Sequence, residues 1–102
     1  MMDAATPFDE ANDVLMSAER WMNEGRELAI ITIVAGAGDG AALIGQRIII
    51  DADGTRFGSF DSDPIDQLAA TQAKLVIASG EPCLLDIALT DGHARLYVER
   101  LG

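Results

Sequence analysis

The residues best suited to holding a ligand lie between positions 36 and 59. Gly36-Ala37-Gly38-Asp39-Gly40 places three glycines in five residues directly after the apolar run Leu28 to Val34, and Gly45-Gln46-Arg47 follows. Glycines in such a segment allow positive φ values and bring backbone N–H groups close to a phosphate. Arg47 is the basic residue beside them and the candidate anion contact. The chemistry expected there is binding rather than turnover, because no nucleophile, base and orienting group stand together. Gly36-x-Gly38-x-x-Ala41 matches the dinucleotide fingerprint with alanine in the last place. That fingerprint needs a helix whose N-terminus faces the pyrophosphate, and only a few residues separate Ala41 from the strand expected at Arg47. A glycine-rich connection between two strands explains the same residues.

Other reactive side chains have simpler explanations. Asp51, Asp53, Asp61, Asp63 and Asp66 could supply oxygens to calcium, but glycine follows directly after the second aspartate and no glutamate closes an EF-hand loop. Turn formation accounts for Asp51 and Asp53, helix capping for Asp63 and Asp66, and solvation for Asp61. Cys83 is the single cysteine and cannot form an internal disulfide; with His93, the single histidine, it falls short of a structural zinc site. A catalytic thiolate would want His93 as its base, yet a hairpin places the two tens of ångströms apart. Trp21 and Met22 belong to a core or an oligomer contact.

The elements that must position these residues follow from periodicity. Ala11, Val14, Leu15, Ala18, Trp21 and Met22 give residues 9–24 one apolar helical face, with Asp9 and Glu10 at the positive end and Gly25 as the stop. Leu28 to Ala35 is a central strand covered on both faces and ended by the glycines. Arg47 to Asp51 and Thr55 to Phe60 flank an Asp53-Gly54 turn and form a hairpin. Asp63, Pro64 and Asp66 open a second helix as cap, first-turn proline and capping-box acid. Ile65, Leu68, Ala69, Ala73, Val76 and Ile77 are its buried stripe, and Gly80 and Pro82 end it. Cys83 to Leu89 and Ala94 to Leu101 form a second hairpin through Thr90-Asp91-Gly92-His93. The predicted class is α+β: a mainly antiparallel five-stranded sheet with two packed helices, in the order α-β-β-β-α-β-β. Residues 1–8 are expected to be a tail and residues 9–102 one domain.

Composition narrows the partners. The chain has 102 residues, 17 acidic and 7 basic, a net charge of −10 and a pI near 4.2. That charge opposes binding to nucleic acid or to anionic membranes. No apolar run reaches the roughly 18 to 20 residues of a membrane span, and the N-terminus lacks the basic start and apolar core of a secretory signal, so a cytoplasmic protein is expected. Strand edges and an apolar helix face point to a homodimer.

Taken together, the apolar strand, Gly45-Gln46-Arg47, the Asp53-Gly54 turn, Gly58-Ser59, the acidic helix start and Ser79-Gly80-Glu81-Pro82 resemble the N-terminal domain of the XdhC/CoxI family, from about Val14 to Leu101. Gly38, Gly45, Arg47, Asp53, Gly54, Gly58 and Ser59 fall on family positions. Full-length members of that family are accessory proteins of molybdenum hydroxylases, which bind the molybdenum cofactor, support its maturation and deliver it; they carry a C-terminal nucleotide-binding domain. The sequence departs from this pattern. Ala41-Ala42 replaces a Pro-Arg pair, Ser62-Asp63-Pro64-Ile65-Asp66 replaces a Gly-Gly-Cys-x-Glu signature, and Thr90-Asp91-Gly92 stands where Cys-Gly-Gly is common; a protein without the nucleotide-binding domain is expected. Proline at position 64 offers neither a soft sulfur ligand nor a backbone donor, and Asp61 and Asp63 repel an anionic cofactor. The resemblance therefore implies a stand-alone, non-enzymatic accessory or scaffold protein without a cofactor. It would act through contacts with a molybdenum hydroxylase or a maturation protein. The alternative is a module for a small anion, a pterin phosphate or nucleotide, held by Gly38, Asp39, Gly40, Gly45, Arg47, Gly58 and Ser59.

Overall fold

The computed structural model describes residues 9–101, with side chains from Asp13 onward; the expected tail and the acidic side chains of Asp9 and Glu10 lie outside the described residues. Helix α1 spans Asp9–Asn23, followed by strand β1 (Leu28–Gly38), a 3-10 turn (Ala41–Leu43), β2 (Arg47–Asp51), β3 (Arg56–Phe57), α2 (Asp63–Ser79), β4 (Cys83–Leu89) and β5 (Gly92–Leu101). The five strands form one antiparallel sheet in the order β3-β2-β1-β5-β4. The α+β class and the order of elements are those the sequence predicts.

β1 is central because its side chains are apolar on both faces. Ala29, Ile31 and Ile33 point to a core shared with α2, while Leu28 and Ile30 point to a second core under α1. The helices thus lie on opposite faces of the sheet. Residues alternate sides along a strand, so a run interrupted only by the half-buried Thr32 can serve two layers at once. In α1, Val14, Ala18 and Trp21 are buried as expected, but Leu15 is exposed and Met22 half-buried. The helix stops in a Schellman arrangement: Gly25 at φ 82° lets the Arg26 amide donate to the Trp21 carbonyl at 3.0 Å and its own amide donate to the Met22 carbonyl at 3.0 Å. Arg26 then stacks on the Trp21 ring, 3.7 Å from its centroid, and donates from Nε to Asp51 Oδ2 at 3.2 Å. The end of α1 is thereby tied to the end of β2.

Several boundaries differ from expectation. Glycines do not end β1: the strand continues through Gly36 to Gly38, with a register shift between Ile33 and Ala35 where it pairs with β5. The reason is steric. A Cβ on Gly38 would stand 2.3 Å from the Asp91 carbonyl oxygen, and one on Gly92 would stand 2.0 Å from that of Ala37. The two backbones approach closely, and β5 starts at Gly92 rather than Ala94. β3 shrinks from the expected Thr55 to Phe60 to two residues, because Gly58 at φ 96° turns the chain away and Phe60 is buried in the α2 core. At α2 the N-cap is Ser62, not Asp63, and Leu68 is half-buried. Asp66 does not close a capping box; its carboxylate accepts hydrogen bonds from Ser59 Oγ at 2.7 Å and the Phe60 amide at 3.0 Å, and lies 3.4 Å from Arg56. This buried acid fastens the segment after β3 to the first turn of α2.

Candidate functional site

A cleft of about 640 Å³ opens where the start of α1 meets the β1–β2 connection and the end of β3. Asp13 and Val14 line it from α1, Ala42, Ile44, Gly45, Gln46 and Arg47 from the connection, and Phe57, Gly58 and Ser59 from the other wall. Its shape has a local cause. Gly45 at φ 92° turns the chain so that its amide donates to the Ile33 carbonyl at 2.8 Å, and the Ile33 amide donates back to Gln46 at 3.0 Å. This closes the connection onto β1 and leaves the Arg47 side chain exposed at the beginning of β2, opposite Thr32.

The seven expected binding residues therefore divide. Gly45, Arg47, Gly58 and Ser59 come together in this cleft. Gly38, Asp39 and Gly40 do not. Asp39 instead lines a second hollow of about 580 Å³ with Leu43, Phe60, Asp61 and Pro64. The cradle expected from Gly38 to Gly40 is also already occupied by the protein's own backbone: the Asp39 amide donates to the Asp91 carbonyl at 2.6 Å and the Gly40 amide to the Ala37 carbonyl at 3.1 Å. An N–H committed in this way is not offered to a phosphate. Gly40 presses on β5 so closely that a Cβ there would meet the His93 carbonyl oxygen at 1.9 Å. Ser59 reaches the cleft, but its hydroxyl donates to Asp66 and accepts from the Asp61 amide at 3.0 Å.

Among the described residues the charge of the cleft is thus set by one cation, Arg47, and one carboxylate, Asp13, on walls whose other residues are apolar, glycine or the neutral polar Gln46 and Ser59. Asp13, Val14 and Phe57 escaped the sequence reading, since nothing in the pattern of α1 tells where on the sheet it lands. Other candidates settle into structural roles. Asp51 accepts from the Asp53 and Thr55 amides at 3.0 and 2.8 Å, as a turn-forming aspartate does. Burial pushes its carboxyl up, but the Arg26 hydrogen bond, the Thr55 amide and the Arg26 charge outweigh this and hold it below the ordinary carboxylate value. Cys83 is half-buried at the start of β4, with Sγ 3.8 Å from Gln72 Oε1. It pairs across from Val98, whereas His93 pairs with Ala88. Five positions separate them, about 17 Å along the strand rather than the expected tens of ångströms, which is still out of reach for a thiolate and its base. Among the described residues no group of three or more His, Cys, Asp or Glu side chains could hold a metal ion, and no helix is long and apolar enough to cross a membrane.

Comparison with known proteins places this arrangement. A crystal structure described as a xanthine dehydrogenase from Bacillus halodurans shares the fold, with a TM-score of 0.66 at 14% identity over 84% of this chain. The chain spans 30% of the length of that protein. No curated protein matches. The XdhC and CoxI family matches residues 21–88, from the end of α1 to β4, and so takes in the glycine segment, Arg47, Gly58, Ser59 and the whole of α2. With about two-thirds of its length under that match, the chain belongs to the XdhC and CoxI family.

Proposed function

We propose that residues 9–102 form one domain that serves as a non-enzymatic accessory or scaffold protein, working through protein contacts with a molybdenum hydroxylase or a protein that matures one, as a cytoplasmic homodimer. The observation that carries this reading is the family match across the body of the fold. The cleft adds a chemical argument. Its donors do not fit a molybdenum centre, because the one thiol, Cys83, sits on β4 and does not line it, no methionine lines it among the described residues, and Asp13 offsets the charge of Arg47. The contact would therefore be with protein rather than through a resident cofactor. Surface plasmon resonance of the full chain over an immobilised molybdenum hydroxylase, with and without its cofactor, tests this. Saturable binding to either form is expected; no binding to both at about 100 µM, the range of weak encounters, overturns it.

A second reading rests on the convergence of Gly45, Arg47, Gly58 and Ser59 on one cleft. These residues would hold a small anion, with Arg47 as its charge partner. Titration with molybdopterin or with nucleoside phosphates, followed by melting temperature and Trp21 fluorescence, tests it. A ligand at 100 times its Kd stabilises by about 2.7 kcal/mol. Arg47→Gln should abolish that rise while shifting the melting of the free protein by no more than about 0.5 kcal/mol, as expected for an exposed side chain. An equal rise in the variant refutes the assignment.

A further inference from the structure

We propose that β4 is the edge through which two copies of this chain associate, each laying its β4 antiparallel against the other so that two five-stranded sheets become one. This deepens the homodimer of the proposed function by naming its contact. Among the described residues the sheet order leaves two edges, β3 and β4. β3 is two residues long and is cut short by the turn at Gly58. β4 runs for seven residues, Cys83-Leu84-Leu85-Asp86-Ile87-Ala88-Leu89, without a proline, glycine or lysine. Proteins normally shield such an edge with short strands, prolines, bulges or charges, because its unpaired N–H and C=O groups accept any further strand. Here one charge is present, and it is spent: Asp86 accepts from Arg95 Nε at 2.8 Å and Nη2 at 3.3 Å.

Three features select a second copy as the occupant. The unpaired backbone calls for a strand, and a strand placed about a two-fold axis is its own antiparallel partner. Cys83, Leu85, Ile87 and Leu89 pack against the α2 core yet stay half-buried, so an identical row from a second copy would complete their cover. Gln72 of α2 touches Cys83, and Leu75, three residues on and 58% exposed, lies on the same side of that helix, which extends the apolar surface past the strand. Charge points the same way. In a chain of net charge −10, two copies repel least where the local charge is cancelled, and the Asp86–Arg95 pair provides such a place. A register with Leu85 or Ile87 on the two-fold axis also avoids setting Asp86 opposite Asp86.

Sedimentation velocity of the full chain from about 1 to 100 µM, the range that resolves micromolar association, is the test. The wild type is expected at twice the 10.8 kDa chain mass. Leu84→Glu, on the other face of β4 and 57% exposed, and Leu75→Glu add negative charge at exposed positions of a chain already at −10, so circular dichroism should show the fold intact while two copies repel. Each should weaken the dimer at least about tenfold, and the double variant should be monomeric. Met16→Glu on α1, 68% exposed, adds the same charge away from β4 and should leave the dimer unchanged. A wild type that stays monomeric to the highest concentration overturns the homodimer altogether. A dimer that survives Leu84→Glu and Leu75→Glu, or that is broken by Met16→Glu, overturns β4 as its contact and leaves the accessory reading standing.

Discussion

Replacing Gly40 by alanine separates two explanations of the glycine segment. Gly40 has φ −72° and ψ −23°, an ordinary right-handed conformation that alanine adopts without strain. Backbone propensity alone would make the change neutral or mildly stabilising. Space decides otherwise: the new Cβ would lie 1.9 Å from the His93 carbonyl oxygen, and real Cβ atoms do not come within 3.0 Å of another atom. The β5 backbone would have to retreat by about 1.1 Å at its second residue, where it is paired with both β1 and β4. Overpacking of this kind costs about 3 kcal/mol, and at roughly 4–8 °C per kcal/mol for a domain this size the melting temperature should fall by about 12–24 °C. Gly45 is the opposite case. Its Cβ position is open, but φ is +92°. Gly45→Ala should therefore cost only the strain of a positive φ, about 1 kcal/mol and roughly 4–8 °C. Thermal unfolding followed by circular dichroism on both variants is sufficient. If Gly40→Ala melts as high as Gly45→Ala, the close approach of the two backbones is wrong, and the segment is open enough to take a ligand after all.

Two acids carry further predictions. Asp51→Asn keeps the shape of the side chain but removes the charge that Arg26 meets, and should cost about 1–2 kcal/mol at neutral pH. Because the folded carboxyl is held below its unfolded value, the wild-type advantage is fully present above that unfolded value, about pH 3.9, and is lost as pH falls through the lower folded one. Urea unfolding from pH 7 down to about pH 2 should show wild type and Asp51→Asn converging in that acid window; a gap that stays constant would refute the assigned role. Asp66→Ala leaves the Phe60 amide and Ser59 hydroxyl without their acceptor and should cost about 2 kcal/mol. Hydrogen exchange should speed up first at residues 59–61, and uniform acceleration across the sheet would show that Asp66 does not act locally.

Much of the fold is legible because its signals are local. Gly25 and Gly80 stop helices at left-handed φ values of 82° and 76°, and the pairs Asp53-Gly54 and Asp91-Gly92 mark tight turns. A near-continuous run of isoleucines can only be a strand covered on both sides. The errors arise where the deciding partner is distant. Asp66 sits at a spacing that imitates a capping box, yet the donors it binds lie six and seven residues back, across a bend that Gly58 sets. A capping acid and a loop anchor have the same sequence signature and differ only in where the preceding chain goes. Likewise, Leu15 belongs to a helical stripe by spacing, but β1 and β2 accept a narrower face than the stripe offers.

The glycine segment carries this logic into the site. A short run of glycines has two physical uses, freeing an N–H for an anion and letting two backbones touch, and they cannot be told apart without the partner strand. Here Gly36, Gly38, Gly40 and Gly92 serve the second use, since added Cβ atoms meet backbone within 3 Å at each. Gly45 and Gly58 face the other way, to the cleft that holds Arg47, and both have positive φ. Within one stretch of chain the glycines that resemble a phosphate loop therefore build the sheet, while the isolated ones shape the concavity. On the anion reading, specificity comes from Arg47 against Asp13 rather than from a cradle at Gly38 to Gly40, and the affinity of a ligand held there should fall with rising salt and with loss of the Arg47 charge.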